Sequence, residues 1–202
     1  MIGKLTSIEN LKKIVIRLKA KRNKIVLCHG VFDLLHVGHI NHFQEAKGFG
    51  DIVIVSVTSD KFVNKGPNRP AFNEQNRLKA LAALKDIDYV VLNKFPTAVP
   101  AIREIKPDIY CKGQDYKFNK DDITGEIKNE INAVKKIGGK IIYTKGAVFS
   151  SSNLINKFGE IHSAQQKITI EKIKNKYSFL KIKKLIENFK KLKVLVIGET
   201  II

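Results

Sequence analysis

Two histidines, His36 and His39, lie three residues apart in the stretch His29-Gly30-Val31-Phe32-Asp33-Leu34-Leu35-His36-Val37-Gly38-His39. In a first helical turn that spacing puts both imidazoles on one face, where they can converge on one phosphate. Gly30 lets the backbone approach a ligand closely, and Gly38 removes a side chain between the two rings. An apolar run, Lys24 to Cys28, enters the stretch as a buried strand would, and a helix-period segment from His39 to Lys47 leaves it. A strand-to-helix turn of this kind binds anions: its free N–H groups, with a dipole equivalent to roughly half a positive charge, face the space beyond the strand. Two surface histidines or a metal pair are the plainer alternatives. The ordered succession of strand, glycine, Phe-Asp, His-x-Gly-His and helix disfavours both.

The elements that must position these residues follow from periodicity. Ser7 caps a helix from Ile8 to about Ala20. Short apolar runs predict five strands: Lys24–Cys28, Asp51–Val57, Asp88–Leu92, Ile109–Lys112 and Lys140–Tyr143. Helices are expected from Asn73 to Leu84, from Thr97 to Lys106 and around Ile127 to Ile137. Strands alternating with helices imply an α/β fold with a doubly wound, Rossmann-like parallel sheet, whose ligands sit beyond the strand carboxyl ends. Four polar clusters fall at such ends. They are His29 to His39, then Lys65 and Arg69 in a cationic loop expected to be mobile, then Gly113 to Tyr116, and finally Ser150, Ser151 and Ser152 before a helix near Asn153.

Composition narrows the function classes. A chain of 202 residues with 44% apolar content can bury one full core with a small appendage. The N-terminus lacks the pattern of a signal peptide and no run reaches the length of a membrane span, so the cytoplasm is the expected location and no membrane partner is expected. Cys28 and Cys111 both fall inside expected strands, which suits reduced core thiols better than a disulfide or a metal site. The formal net charge of +18 invites a nucleic-acid reading. Against it, the basic residues are overwhelmingly lysines spread along the whole chain, which favours solvated faces plus an anionic nucleotide site.

The segment Phe32 to His39 resembles the HxGH signature of the nucleotidyltransferase superfamily, which transfers a nucleoside monophosphate from a triphosphate to an acceptor phosphate and releases pyrophosphate. The resemblance covers roughly Lys24 to Lys157 and is closest to heptose 1-phosphate adenylyltransferases and glycerol-3-phosphate cytidylyltransferases. Lys112-Gly113-Gln114-Asp115-Tyr116 resembles the KGGDY of the heptose enzymes, and Phe149-Ser150-Ser151-Ser152 resembles the family's I-S-S/T-T segment. The chain departs from the pattern at His29, where relatives often carry Asn, at Gln114 for Gly and at Ser152 for Thr.

The resemblance implies His36, His39 and Lys65 as catalytic groups. It implies nucleotide contacts from Gly30, Val31, Phe32, Gly38, Lys112, Gly113, Asp115, Ser150, Ser151 and Ser152. Asp33, Lys47 and Arg69 are candidates for acceptor or phosphate binding, although Lys47 reads equally well as a solvated helix lysine and Asp33 as a cap of the turn. Mg²⁺ would arrive with the triphosphate and bridge its oxygens, with few protein ligands. Arg77 reads as a structural pairing residue, and His42, outside the motif, as a surface residue.

The expected reaction is transfer of a nucleoside monophosphate from ATP to a sugar phosphate resembling heptose 1-phosphate. CTP with glycerol 3-phosphate or another acceptor is the alternative, and a basic nucleic-acid-binding module is the third reading. The resemblance also implies a homodimer. Residues 1–157 form the expected catalytic domain and 158–192 a basic helical linker. Residues 193–202 resemble the first strand of ribokinase-like sugar kinases, or else form a last strand or docked tail of the same domain.

Overall fold

The structure, a computed structural model, describes residues 3–65, 69–114, 126–145, 164–190 and 192–193. It divides into two compact units, Met1–Asn153 and Leu154–Ile202. In the first, the described strands are β1 (Leu5–Thr6), β2 (Ile25–Gly30), β3 (Ile52–Thr58), β4 (Tyr89–Asn93), β5 (Ile109–Lys112) and β6 (Lys140–Tyr143). They form a single sheet in the order β1-β4-β3-β2-β5-β6, parallel throughout. The five expected strands are present. The sixth, β1, corrects the strand count: its two residues, paired with Val90 and Val91, are too few to leave a periodic signal.

The helices of this unit are α1 (Ile8–Ala20), α2 (Val37–Phe49), α3 (Glu74–Ala82), α4 (Val99–Ile105) and α5 (Ile127–Lys136). Ser7 and Asn73 cap α1 and α3 by accepting from the N–H groups of Asn10 and Asn76. The sheet separates two cores by strand alternation. Val26, Cys28, Val53, Val55, Val57 and Cys111 pack with Phe43 and Ala46 of α2 and Leu78 and Leu81 of α3. Ile25, Leu27, Ile54, Val91 and Tyr110 pack with Leu11 of α1, Ile102 of α4 and Val134 of α5. Each central strand is covered on both faces, which is why the strand sequences read as continuous apolar runs.

The amino ends of the strands are tied by carboxylates that stand just before them. Asp51 Oδ2 accepts from Lys24 N at 2.7 Å, Asp108 Oδ2 from Ile25 N at 2.8 Å and Asp88 Oδ2 from Val53 N at 2.7 Å. Gly50 is required beside this edge, since a Cβ there would lie 2.7 Å from Val26 Cγ2 and 2.8 Å from the Lys24 carbonyl oxygen. Lys47 belongs to the same edge. Its Nζ is 2.7 Å from Asp88 Oδ2 and also bonds the Asp51 carbonyl oxygen. That removes Lys47 from the phosphate-binding candidates, because it serves the end of the sheet opposite His36 and His39.

The second unit contains α6 (Ala164–Lys176) and α7 (Phe179–Phe189), the latter capped by Ser178. Phe179, Leu180, Ile186 and Phe189 of α7 are exposed among lysines. No described helix is long and apolar enough to cross a membrane. The helix expected near Asn153 and, apart from Lys193, the strand expected at 193–202 lie outside the described residues, as do Asp115 and Ser150 to Ser152.

Candidate active site

After the edge strand β1, the chain enters the centre of the sheet at β2, fills one side through β3 and β4, and crosses to the other side with β5. The order of strands therefore reverses between β2 and β5, and the crevice beyond their carboxyl ends is the switch point at which such sheets bind ligands. The turn from β2 to α2 opens onto it, and Gly113 leaves β5 beside it.

His36 is the N-cap of α2, with extended backbone, and His39 is its third residue. Their side chains close the helix end reciprocally. His36 Nδ1 accepts from Gly38 N at 3.1 Å, and His39 Nδ1 accepts from His36 N at 3.4 Å. The two rings stack with centroids 3.9 Å apart. Each ring therefore spends its lone pair on the backbone, which fixes the neutral tautomer with the proton on Nε2. Burial lowers the His36 pKa, and burial together with His36, His42 and Lys65 lowers that of His39 to about 3. Both imidazoles are neutral at pH 7 and offer Nε2–H donors. Lys65, placed in the site by sequence, stands close enough to His39 to repel its protonated form.

Phe32 and Leu34 adopt left-handed backbone, with φ of 51° and 49°, which folds the turn back under α2. Phe32 is buried, edge-on to His39 at 5.6 Å and 5.2 Å from Phe43. Gly30 has a purpose the sequence did not disclose: a Cβ there would lie 3.1 Å from the Phe32 ring. It makes room for the aromatic wedge beneath His39. The Val31 carbonyl is also engaged, accepting from Arg77 Nη1. Arg77 is buried, and it further donates to the carbonyls of Phe72 and Thr58 and to Asp60 Oδ1. The structural pairing expected of Arg77 is present.

Asp33 does not face an acceptor. Its carboxylate is buried and accepts from Ala71 N at 2.8 Å and Phe72 N at 3.1 Å. Asp33 is thus a strap between the histidine turn and the loop after β3, rather than an acceptor-binding group. Arg69 in that loop has Nε 3.2 Å from Asp33 Oδ2, an ion pair without hydrogen-bond alignment. Its Nε and Nη2 are buried donors with no hydrogen-bond partner among the described residues. Buried guanidinium donors of this kind suit a phosphate oxygen.

Lys112 is also corrected. Its ammonium is buried and pairs with Glu130 Oε2 at 3.2 Å, on the α5 side of the sheet, so its side chain serves an internal network rather than the nucleotide. The same Oε2 accepts from Tyr110 OH at 2.9 Å, and Oε1 accepts from Ala98 N at 3.3 Å. Glu130 was not singled out from sequence. The available signal was its position on the apolar stripe, three residues after Ile127 and four before Val134.

His29 is held between hydroxyls, with Nδ1 3.2 Å from Ser56 Oγ and Nε2 3.4 Å from Thr58 Oγ1. Burial, with the charge of Lys112, lowers its pKa to about 4. His42 is half-buried rather than a surface residue, with Nδ1 3.2 Å from Thr144 Oγ1.

Among the described residues, the turn presents imidazole and guanidinium donors, while Asp33 and Asp60 are committed to backbone N–H groups and arginines. That donor set fits a Mg²⁺ ion carried by triphosphate oxygens and assigns no described side chain as its ligand.

A family model described as cytidylyltransferase-like matches residues 27–178. The bifunctional protein HldE of Aliarcobacter butzleri is 37% identical over 138 residues, 67% of this chain and 29% of that protein. The bifunctional protein HldE of Sulfurimonas denitrificans is 42% identical over 134 residues, 65% of this chain and 28% of that protein. The chain spans less than a third of the length of these curated relatives. Among solved structures, a lipopolysaccharide core biosynthesis protein from Thermoplasma volcanium superposes with a TM-score of 0.52 at 30% identity, covering 62% of this chain and 99% of that one. A pantoate-beta-alanine ligase from Francisella tularensis superposes with a TM-score of 0.55 at 20% identity, covering 84% of this chain and 77% of that one, and shares the fold.

Proposed function

The chain belongs to the cytidylyltransferase-like family, and on that premise we propose that it transfers a nucleoside monophosphate from ATP to a sugar phosphate resembling heptose 1-phosphate. The observation that carries this reading is the reciprocal capping of His36 and His39. It leaves two neutral Nε2–H donors at the amino end of α2, suited to phosphate oxygens that gain charge in the transition state. An acceptor phosphate oxygen attacks the α-phosphorus in line, the bond from that phosphorus to the bridging oxygen breaks, and pyrophosphate leaves with its electron pair. No covalent enzyme intermediate is needed, so positioning and charge stabilisation account for the rate.

In this reading His36 and His39 donate to the triphosphate while Lys65 and Arg69 neutralise it. Backbone groups of Gly30, Phe32, Gly38 and Gly113 line the path of the nucleotide. Asp115 and Ser150 to Ser152 are proposed to hold the nucleotide and its terminal phosphates. Mg²⁺, when bound with the triphosphate, shields its charge toward the incoming acceptor. The sugar acceptor is supported by the likeness of Lys112 to Tyr116 to the heptose enzymes and by the HldE relatives. Because those relatives are bifunctional and more than twice as long as this chain, a fused sugar kinase is proposed as the partner activity, with the reaction running in the cytoplasm of a homodimeric enzyme.

The test is pyrophosphate release with Mg²⁺ from ATP, CTP, GTP and UTP, each against a panel of sugar 1-phosphates and polyol phosphates. Release confined to ATP and a heptose 1-phosphate is expected. Release confined to CTP and glycerol 3-phosphate would replace the substrate pair, and absence of nucleotide binding would overturn the reading.

A further inference from the structure

Cys28 and Cys111 are register partners on the adjacent strands β2 and β5, and both point into the core on the side covered by α2. His42 reaches the same place from α2. The two Sγ atoms and a ring nitrogen of His42 all lie within 4.8 Å of one another. From this we infer that Cys28, Cys111 and His42 form a binding site for a thiophilic d¹⁰ cation, Zn²⁺ above all, beneath the helix that carries His39.

The chemistry of the donor set supports the assignment. Two sulfurs and one imidazole make a soft site, of the type that selects zinc or cuprous copper over magnesium or calcium. Zinc–sulfur bonds of about 2.3 Å in tetrahedral geometry set ligand sulfurs about 3.8 Å apart. The three atoms need to close by no more than about 1 Å, a movement within reach of rotamer adjustment.

His42 is also held as a metal-binding imidazole is. Thr144 Oγ1 donates to the Lys112 carbonyl at 3.4 Å, so it accepts from His42 Nδ1–H at 3.2 Å. That bond places the proton on Nδ1 and the lone pair on Nε2, the arrangement by which an outer hydrogen bond orients a ligating ring. Metal-bound cysteines ligate as thiolates, and two thiolates with one neutral imidazole balance the charge of a divalent ion. Three protein ligands leave one coordination position open. The site joins α2 to the two strands that flank the switch point, so its occupancy stiffens the base of the histidine turn. It is independent of the proposed reaction and draws on none of the groups assigned to it.

The test begins with native mass spectrometry of the full chain expressed in zinc-supplemented medium, where one zinc per chain is expected. Protein that has been unfolded, reduced with a phosphine and refolded with one equivalent of Co²⁺ should show a sulfur-to-cobalt charge-transfer band in the near ultraviolet. Cys111→Ser and the double variant Cys28→Ala/Cys111→Ala should lose the band, with circular dichroism reporting the fold. Thr144→Val keeps all three ligands and should weaken affinity by roughly 10- to 100-fold. His36→Ala should retain the band, which separates this site from the histidine turn. A folded, metal-free protein with no charge-transfer band, or a bound cobalt spectrum unchanged by the cysteine variants, would overturn the inference.

Discussion

The guanidinium of Arg77, at the centre of α3, donates to the carbonyl of Val31 in the turn that carries the two histidines. The same group bonds the carbonyls of Phe72 and Thr58 and the carboxylate of Asp60, so one buried cation holds the end of β3, the following loop and the turn together. Arg77→Ala leaves three carbonyls and a carboxylate without their donor. A loss of about 3 kcal/mol is expected in urea unfolding, of the size seen when a buried ion pair loses one member. Arg77→Lys keeps the charge but not the fork, and should recover less than half.

The capping and donating functions of His39 can be separated. Asn resembles the Nδ1 side of the ring and Gln the Nε2 side. His39→Asn should keep the helix cap and the stability but lower kcat by on the order of 100-fold, the usual effect of losing one preorganised donor. His39→Gln should lose about 1 kcal/mol of cap energy while retaining more of the rate. Thermal unfolding and pyrophosphate release measured on both variants check the assignment. Equal rates in the two would remove Nε2 from the chemistry.

Buried histidines give stability a direction in pH. His29 and His42 are held down to about 4 and His39 to about 3, whereas an unfolded histidine titrates near 6.5. Between these values the unfolded chain binds protons that the folded one does not. Stability is therefore complete above about pH 7 and falls as pH drops through 6 toward 4, each histidine contributing at most about 1.4 kcal/mol per pH unit. Denaturation midpoints at pH 7.5, 6 and 5 measure the slope, and His29→Asn should make it shallower.

Glu130→Gln should destabilise by about 3 kcal/mol, because it removes the carboxylate charge that pairs with the buried Lys112 ammonium while Tyr110 keeps a hydrogen-bond partner. Tyr110→Phe should cost only about 1 kcal/mol. Guanidinium denaturation of the two variants distinguishes the contributions.

Lys47→Ala provides the contrast. Its ion pair is partly exposed, at the amino edge of the sheet, so a stability change below about 1 kcal/mol and unaltered substrate kinetics are expected. A raised KM for either substrate would return Lys47 to the site.

The alternating cores and the order of elements were legible because each central strand is covered on both faces, so its apolar run needed no partner to be recognised. The histidine turn was legible because its spacing is local. What escaped was set by contacts distant in sequence. Lys112 looked like a ligand-facing cation until Glu130 met it from α5. Asp33 looked like a cap until the N–H groups of Ala71 and Phe72 arrived. Gly30 suggested room for a ligand, and its missing Cβ also makes room for the Phe32 ring two residues on, a contact that depends on the left-handed backbone at Phe32. The strand β1 has too few residues to declare itself and exists because Val90 and Val91 offer it an edge.

The aspartates that lie before β3, β4 and β5 each grip the backbone of a neighbouring strand, so the register of the sheet is secured at the end remote from the histidines. The loops at the other end are thereby relieved of any duty to keep the strands aligned. They can lengthen, shorten or change composition without misthreading the sheet, and a scaffold arranged in this way is open to new acceptors by exchange of its loops alone.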